Sequence, residues 1–306
     1  MDVIGQWKSA ENEMAILTTY VSEVDDHYDK KTGGRLTSSR PFMCQTDFEE
    51  DYYNEGLSFL MHGQQPEEKP SIVEEPLLLP FWAAGFSFAR GHFGVQVPYD
   101  QYLPMIFQGE EINMGVRGFS YGYDFYAPEK SVLYHYYHTD KNHKKRKVKR
   151  FWEHSDNYKG VENQSKARLL GLIEMLGKSV PIKNEDEEAD AEKEDGIESD
   201  PKIDGEGGNE EGEVQDTIIP WVATDAEKYG LGKVRTVEKF CDTFGIDLLE
   251  RKVQKHLCKF VGAAMTRIFT KQIRSDGMGI DYSKIDFQFK DPDENGNTTI
   301  SWEKYY

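Results

Sequence analysis

The sequence has few cysteines, and those it has are scattered. Its 306 residues contain three, Cys44, Cys241 and Cys258. An odd number at wide spacing favours free thiols in a reducing compartment over a disulfide framework. Cys241 and Cys258 fall in sequence that we interpret as helical, where a cysteine more often packs than ligates. We therefore expect a cytoplasmic protein.

Positive charge and long apolar runs are also scarce. Lysine and arginine number 37 against 55 aspartates and glutamates, so the formal net charge is −18. Nucleic-acid binding requires a basic surface, and this balance excludes it as a general function. No apolar run approaches the roughly 18–20 residues that span a bilayer, and residues 1–8 show no signal-peptide pattern. We predict no nucleic-acid partner and no membrane span in this chain.

What remains is the composition of a globular enzyme, with 38% hydrophobic and 13% aromatic residues. Apolar period-two segments alternate with one clear helical pattern, in which Ile112, Val116 and Phe119 share a face. This alternation is typical of an α/β domain. The predicted elements are strands over 14–20, 42–44, 77–88 and 132–137, helices over 106–119, 168–176 and 248–273, a surface connection over 63–75, and a hairpin tail over 285–306.

The stretch Asn184–Asp216 consists largely of Glu, Asp and Gly. It contains too little apolar surface to offset the entropy of ordering it, so we predict disorder. The resulting division is a catalytic domain over 1–180, an acidic disordered insertion over 181–217, and a helical region with a hairpin tail over 218–306.

The most informative segment lies between Pro80 and His138. Its centre is Gln108-Gly109-Glu110-Glu111, preceded by Phe81-Trp82-Ala83-Ala84-Gly85-Phe86 and followed by Tyr121-Gly122-Tyr123-Asp124 and Tyr134-His135. Adjacent acids can orient sugar hydroxyls, small residues let a ligand approach the backbone, and aromatic rings pack on sugars. The pattern indicates a carbohydrate-handling site.

These motifs, with Tyr229-Gly230-Leu231-Gly232 and Phe244-Gly245-Ile246-Asp247, resemble the N-acetylglucosaminyltransferases related to the cytoplasmic enzyme that glycosylates hydroxyproline on a ubiquitin-ligase subunit. A more distant likeness is to polypeptide N-acetylgalactosaminyltransferases of the GT-A fold. The resemblance implies a GT-A-like α/β domain, a UDP-GlcNAc donor, a protein hydroxyl acceptor, anomeric retention and a divalent cation, Mn or Mg.

The resemblance also implies roles for particular residues. Glu110 and Glu111 would be catalytic, Glu110 on the sugar hydroxyls and Glu111 facing donor or acceptor, with Asp124 beside them. His135 would bind the metal, which would neutralise the departing diphosphate. The substrate-binding residues would be Trp82, Ala84, Gly85, Gly109 and Arg117.

One departure from the family pattern concerns the start of the chain. Such enzymes carry an Asp-X-Asp or Asp-X-His motif after a nucleotide-binding βαβ unit, and no candidate precedes Ile16. We therefore expect an N-terminally truncated domain that lacks most of the nucleotide-binding half. A catalytically inactive homologue that binds a protein or glycan is the alternative.

The residues themselves leave other interpretations open. Glu110 and Glu111 could simply complement a helix dipole, and His135 could be an ordinary strand histidine, with His138 and His143 as rival ligands. Trp82 could belong to the core, Arg117 could pair with Glu110, and Asp100 could cap a turn.

The basic run 141–150 fits a solvated loop, a phosphate-closing loop or a nuclear import signal. The segment 291–296 fails as a calcium loop because Trp302 occupies the twelfth position, so a hairpin turn is expected there.

Overall fold

The computed structural model describes residues 2–24, 28–35, 40–50, 58–66, 75–136, 161–175, 179–182, 219–255 and 257–285. The helices are α1 (Val3–Ser9), α2 (His92–Gln96), α3 (Glu110–Ser120), α4 (Val161–Leu172), α5 (Ala226–Tyr229), α6 (Val237–Phe244), α7 (Leu257–Phe260) and α8 (Ala263–Phe269), with 3-10 turns at Thr270–Gln272 and Tyr282–Lys284. The strands are β1 (Ala15–Thr19), β2 (Ser22–Glu23), β3 (Tyr28–Asp29), β4 (Gly34–Arg35), β5 (Pro41–Glu50), β6 (Ser58–Pro66), β7 (Leu77–Leu79), β8 (Phe86–Phe88), β9 (Asp124–Ala127), β10 (Tyr134–His135), β11 (Ser179–Ile182), β12 (Ile219–Val222), β13 (Ile246–Asp247) and β14 (Lys252–Val253).

A mixed four-stranded sheet in the order β7-β9-β1-β8 forms the centre of the fold. Strand β1 is parallel to β9 and antiparallel to β8, and β7 is antiparallel to β9. All five residues of β1 are buried, as expected for a strand with a hydrogen-bonded neighbour on each edge. The predicted strand over 14–20 and the mixed α/β class are confirmed.

Helix α3 packs its predicted apolar face into the core. Ile112, Val116 and Phe119 are all buried, and the Phe119 ring contacts Phe240 edge-on at 5.3 Å between centroids. The helix starts directly after Gly109, whose φ of 86° is a left-handed conformation that glycine adopts without strain. The first acidic residue therefore emerges at a sharp change of chain direction.

A long antiparallel hairpin of β5 and β6 lies beside the central sheet. It contains the predicted strand over 42–44, but it also includes residues 63–66, which we predicted as a surface connection. Gly63 pairs with Gln45 across the hairpin. Because this stretch is polar in sequence, no apolar alternation indicated a strand. Its pairing with β5 rests on backbone hydrogen bonds.

Three other predicted elements are corrected. Residues 77–88 form two strands that pair with different neighbours, β7 with β9 and β8 with β1, because the chain turns between them. The predicted helix over 248–273 is broken into β14, α7, α8 and a 3-10 turn, with Gly262 at φ 93° between the two helices. Leu249, near the start of this predicted helix, is 90% exposed. Helix α4 begins before the predicted helix over 168–176 and ends earlier.

The cysteine prediction is also corrected. Cys44 of β5 and Cys258 of α7 form a disulfide, while Cys241 is a buried free thiol. The bond joins positions 214 residues apart, a pairing that the sequence spacing does not suggest. The packing role predicted for Cys241 agrees with its burial.

Several predictions fall on residues outside the described ranges. They are the acidic segment 184–216, the basic run 141–150 with His138 and His143, and the tail 286–306. Strands β11 and β12, which flank the acidic segment, pair in parallel. Among the described residues, no helix combines the length and the apolar character needed to cross a membrane.

Candidate functional site

A cavity of about 670 Å³ opens at the N-terminus of α3. This volume lies within the range of about 300–1,000 Å³ that is usual for small-molecule sites. Its wall contains the segment 106–112, the turn at Ala84 and Gly85, the hairpin residues 60–62, and His135. The sheet, the hairpin and one helix terminus thus meet at a single concave surface.

Glu111 is held in a fixed position on this wall. Its Oε1 accepts a hydrogen bond of 2.7 Å from the backbone N–H of Ala84, and its Oε2 accepts one from the Tyr20 hydroxyl. Burial raises the pKa of Glu111, and these two hydrogen bonds oppose the shift. The carboxylate is therefore oriented before any ligand arrives.

Glu110 occupies a different electrostatic environment from its neighbour. Burial, followed by the negative charge of Glu111, raises its pKa to about 7, although a hydrogen bond from Tyr99 counteracts part of the shift. Glu110 can therefore take up or release a proton near neutral pH, while two donors fix the orientation of Glu111. A carboxyl group whose pKa is shifted toward neutrality is a feature of sites that transfer protons.

His135 lies on the cavity wall and its residue is exposed. Within the described ranges, no three His, Cys, Asp or Glu side chains lie together in a way that could hold a metal ion. The described residues therefore do not form a divalent-cation site by themselves. The divalent cation implied by the resemblance stays a prediction.

The structure brings together six of the predicted site residues. Those on the cavity wall are Ala84, Gly85, Gly109, Glu110, Glu111 and His135.

Three predicted site residues lie in the core instead. Trp82 is 2% exposed and donates its indole N–H to the Ser87 hydroxyl at 3.1 Å. Arg117 is fully buried, and its Nε donates to the Gly230 carbonyl at 3.4 Å, so its contacts run away from Glu110. The core alternative that the sequence left open describes Trp82, whereas the pairing of Arg117 with Glu110 is wrong, since the guanidinium contacts Gly230 and Asn113.

Asp124 is the third of these residues. Its carboxylate pairs with Arg235 at 2.9 Å and accepts hydrogen bonds from Asn12 and from the backbone N–H of Ile280, both at 2.8 Å. It is 1% exposed and is not part of the cavity wall. Asp124 therefore joins three distant parts of the chain, and its position gives no support to a catalytic role.

Asp100 caps a turn, as its interpretation predicted, and it also anchors a helix. It accepts the backbone N–H of Tyr102 at 2.9 Å and pairs with Arg168 of α4 at 2.7 Å.

Sequence reasoning missed three side chains at the site. Tyr20 and Tyr99 each donate a hydroxyl to one of the paired glutamates, and His62 lines the cavity from β6. Tyr20 follows the end of β1, and a polar group there is a weak signal of a site. No sequence pattern indicated that His62 belongs to the site, since the residues around it were not predicted to form a strand.

Comparisons with known proteins place this site in a family. Residues 1–250 match the family described as Glycosyltransferase (GlcNAc). Neither the curated proteins nor the solved structures contain a match to the chain. The matched residues include both glutamates and the whole cavity wall. Because the match extends over most of the sequence, it supports transfer of N-acetylglucosamine, and the chain belongs to the glycosyltransferase (GlcNAc) family.

Proposed function

We propose that the cavity binds the sugar of UDP-GlcNAc and that the protein transfers N-acetylglucosamine to a hydroxyl group of a protein acceptor. The observation that carries the proposal is the glutamate pair on the cavity wall of a family member, with Glu111 fixed by two donors and Glu110 poised near neutral pH. Fixed carboxylates accept hydrogen bonds from sugar hydroxyls and hold the anomeric carbon in place, which lowers the entropic part of the barrier.

In the proposed reaction, the acceptor oxygen forms a bond to the anomeric carbon while the bond from that carbon to the diphosphate oxygen breaks. UDP leaves with the electron pair of the broken bond. The acceptor hydroxyl loses its proton, and Glu110 is our candidate to receive it. A carboxylate with a pKa of about 7 is well matched to this task at neutral pH.

Two exposed aromatic residues support an extended acceptor. Tyr99 is 61% exposed and Phe107 is 58% exposed; Phe107 lines the cavity and Tyr99 hydrogen-bonds Glu110 on its wall. Large aromatic groups on a surface favour contact with a ligand. The resemblance implies a hydroxyproline-type acceptor, and the pyrrolidine ring of that residue would pack on these two side chains.

The predicted dependence on Mn or Mg needs a separate test, which is to add EDTA to the transfer assay and then restore each ion.

The predicted cytoplasmic location is not part of this proposal. Disulfides such as Cys44–Cys258 form and persist in oxidising compartments.

The test is release of UDP from UDP-GlcNAc, with binding of the nucleotide sugar measured by calorimetry. Glu110→Gln should lower turnover by about a hundredfold or more, and Glu111→Gln should weaken donor binding because a fixed acceptor is lost. Glu238→Gln is the matched control, because this glutamate is exposed in the first turn of α6.

Two outcomes would contradict the proposal in different ways. Wild-type protein that neither binds UDP-GlcNAc nor releases UDP would overturn it. Binding without turnover would favour the alternative, a non-catalytic glycan-binding homologue.

A further inference from the structure

His62 is a buried histidine whose ring makes no hydrogen bond of normal geometry within the described part of the chain. Its residue is 9% exposed, and neither ring nitrogen makes a hydrogen bond among the described residues. A buried polar group left in this state costs about 1–3 kcal/mol. Native structures rarely retain such a cost without a reason, so a partner that arrives with the ligand would explain it.

His62 lies on the wall of the cavity, together with Leu60 and Met61 of the same strand. Met61 and His62 also border a second cavity beside the disulfide, so His62 stands between the two. The imidazole stacks on Phe81, with 5.3 Å between centroids and 5° between planes, and this contact fixes its plane.

The ring also lies near the glutamate pair. Its centroid is 6.4 Å from that of Tyr20, whose hydroxyl donates to Glu111. A sugar held by Glu111 would therefore have one edge next to His62. Burial lowers the pKa of His62 to about 4, and the backbone groups of His62 itself and of Trp82, neither of which makes a hydrogen bond of normal geometry to the ring, oppose this shift. The ring is neutral near pH 7 and offers one donor and one acceptor.

An acetamido group matches these surroundings better than a hydroxyl does. It has a carbonyl that accepts a hydrogen bond and a methyl group that prefers an apolar contact, and Leu60, Val21 and Ile112 line the same cavity. We propose that His62 is a specificity-determining residue, which donates a hydrogen bond to the acetamido carbonyl of the donor sugar while the methyl group packs on this apolar wall. This inference rests on the proposed function.

The test compares UDP-GlcNAc with UDP-glucose, which has a hydroxyl in place of the acetamido group. His62→Phe keeps a ring on Phe81 but removes both nitrogens. Wild type should prefer UDP-GlcNAc, and His62→Phe should lose about ten- to a hundredfold in affinity for it, with binding of UDP-glucose nearly unchanged. His62→Asn, which retains a donor and an acceptor, should recover part of the preference.

Thermal unfolding without ligand gives a second readout. Since Phe removes an uncompensated polar group, His62→Phe should melt at the same temperature as wild type or higher. His92→Phe is the matched control, because His92 also stacks on an aromatic ring but hydrogen-bonds the Tyr123 hydroxyl at 2.5 Å outside the cavity. It should leave the sugar preference intact.

The outcomes separate this inference from the proposed function. Unchanged sugar preference in His62→Phe and His62→Asn, in a wild type that binds UDP-GlcNAc, would overturn the role of His62 alone. If His62→Phe does not fold, His62→Asn decides the same question. A wild type that binds neither nucleotide sugar would overturn both proposals.

Discussion

At the scale of single residues, the glutamate pair shows how much the environment of a side chain decides. Glu110 and Glu111 are identical neighbours at one helix terminus, and burial raises the pKa of both, yet Glu111 accepts hydrogen bonds from a backbone N–H and a hydroxyl while Glu110 accepts one from Tyr99 beside the negative charge of Glu111. The sequence predicted the position of the pair. It did not predict the difference, because the donors Ala84 and Tyr20 come from distant parts of the chain.

The raised pKa of Glu110 predicts a pH-dependent stability. Its usual value of 4.5 rises to about 7 in the folded state. Between these values the unfolded chain has released a proton that the folded chain still binds, so stability falls as pH rises. Wild type should therefore lose up to about 3 kcal/mol relative to Glu110→Gln between about pH 5 and pH 8, measured by urea unfolding. Equal pH slopes for the two proteins, with Glu238→Gln as reference, would contradict the assignment.

The buried residues mark the limit of motif reasoning. Trp82, Arg117 and Asp124 stand in the same motifs as the cavity residues, but they stabilise the arrangement from inside. A motif indicates that its residues belong to one structural unit, but it does not indicate which of their side chains face a ligand. Only the strand register and the helix face distinguish the two groups, and both depend on tertiary contacts.

At the scale of elements, α3 was predictable because its periodicity is strong and its apolar face is continuous. The broken helices over 257–269 were not, since the apolar spacing of Leu257, Phe260 and Ile268 continues across the break. Burial alone imposes that spacing on two short helices as readily as on one long helix. Only residues 42–44 of the β5–β6 hairpin were predicted as strand, because the polar sequence of its second strand gives no apolar pattern.

The loop after α5 is fitted closely to the end of α3, and this predicts a sensitive glycine. The Gly232 N–H donates to the Ser120 hydroxyl at 2.7 Å, and an added Cβ would lie 2.7 Å from the Ser120 carbonyl oxygen and the Tyr121 Cα. Because backbone atoms cannot move aside cheaply, Gly232→Ala should lower the free energy of unfolding by about 1–3 kcal/mol.

The matched control for Gly232 is Gly94→Ala. Gly94 lies in helix α2, and no atom stands within 4 Å of a Cβ added there. Alanine should leave stability unchanged or raise it by up to about 1 kcal/mol. Chemical denaturation compares the two variants, and equal effects would show that the loop relaxes around the new methyl group.

At the scale of the whole molecule, one covalent bond ties the hairpin to the helices near the end of the described chain. The Cys44–Cys258 disulfide closes a loop of 214 residues, and such a cross-link restricts the unfolded chain. Cys44→Ser should therefore cost about 2–5 kcal/mol of stability. Denaturation with and without a reducing agent measures it: reduction should destabilise wild type and leave Cys44→Ser unchanged. Identical curves for wild type with and without the reducing agent would argue that the bond does not form.

The same bond, with its neighbouring contacts, shows that the family boundary is not a folding boundary. The family match ends at residue 250, yet Tyr282 packs edge-on against Phe119 at 4.8 Å and the Ile280 carbonyl accepts a hydrogen bond from Arg235 at 2.8 Å. A protein cut at residue 250 would expose the inner side of the core that supports α3. The described residues beyond the match, 251–255 and 257–285, therefore share one folded core with the family domain.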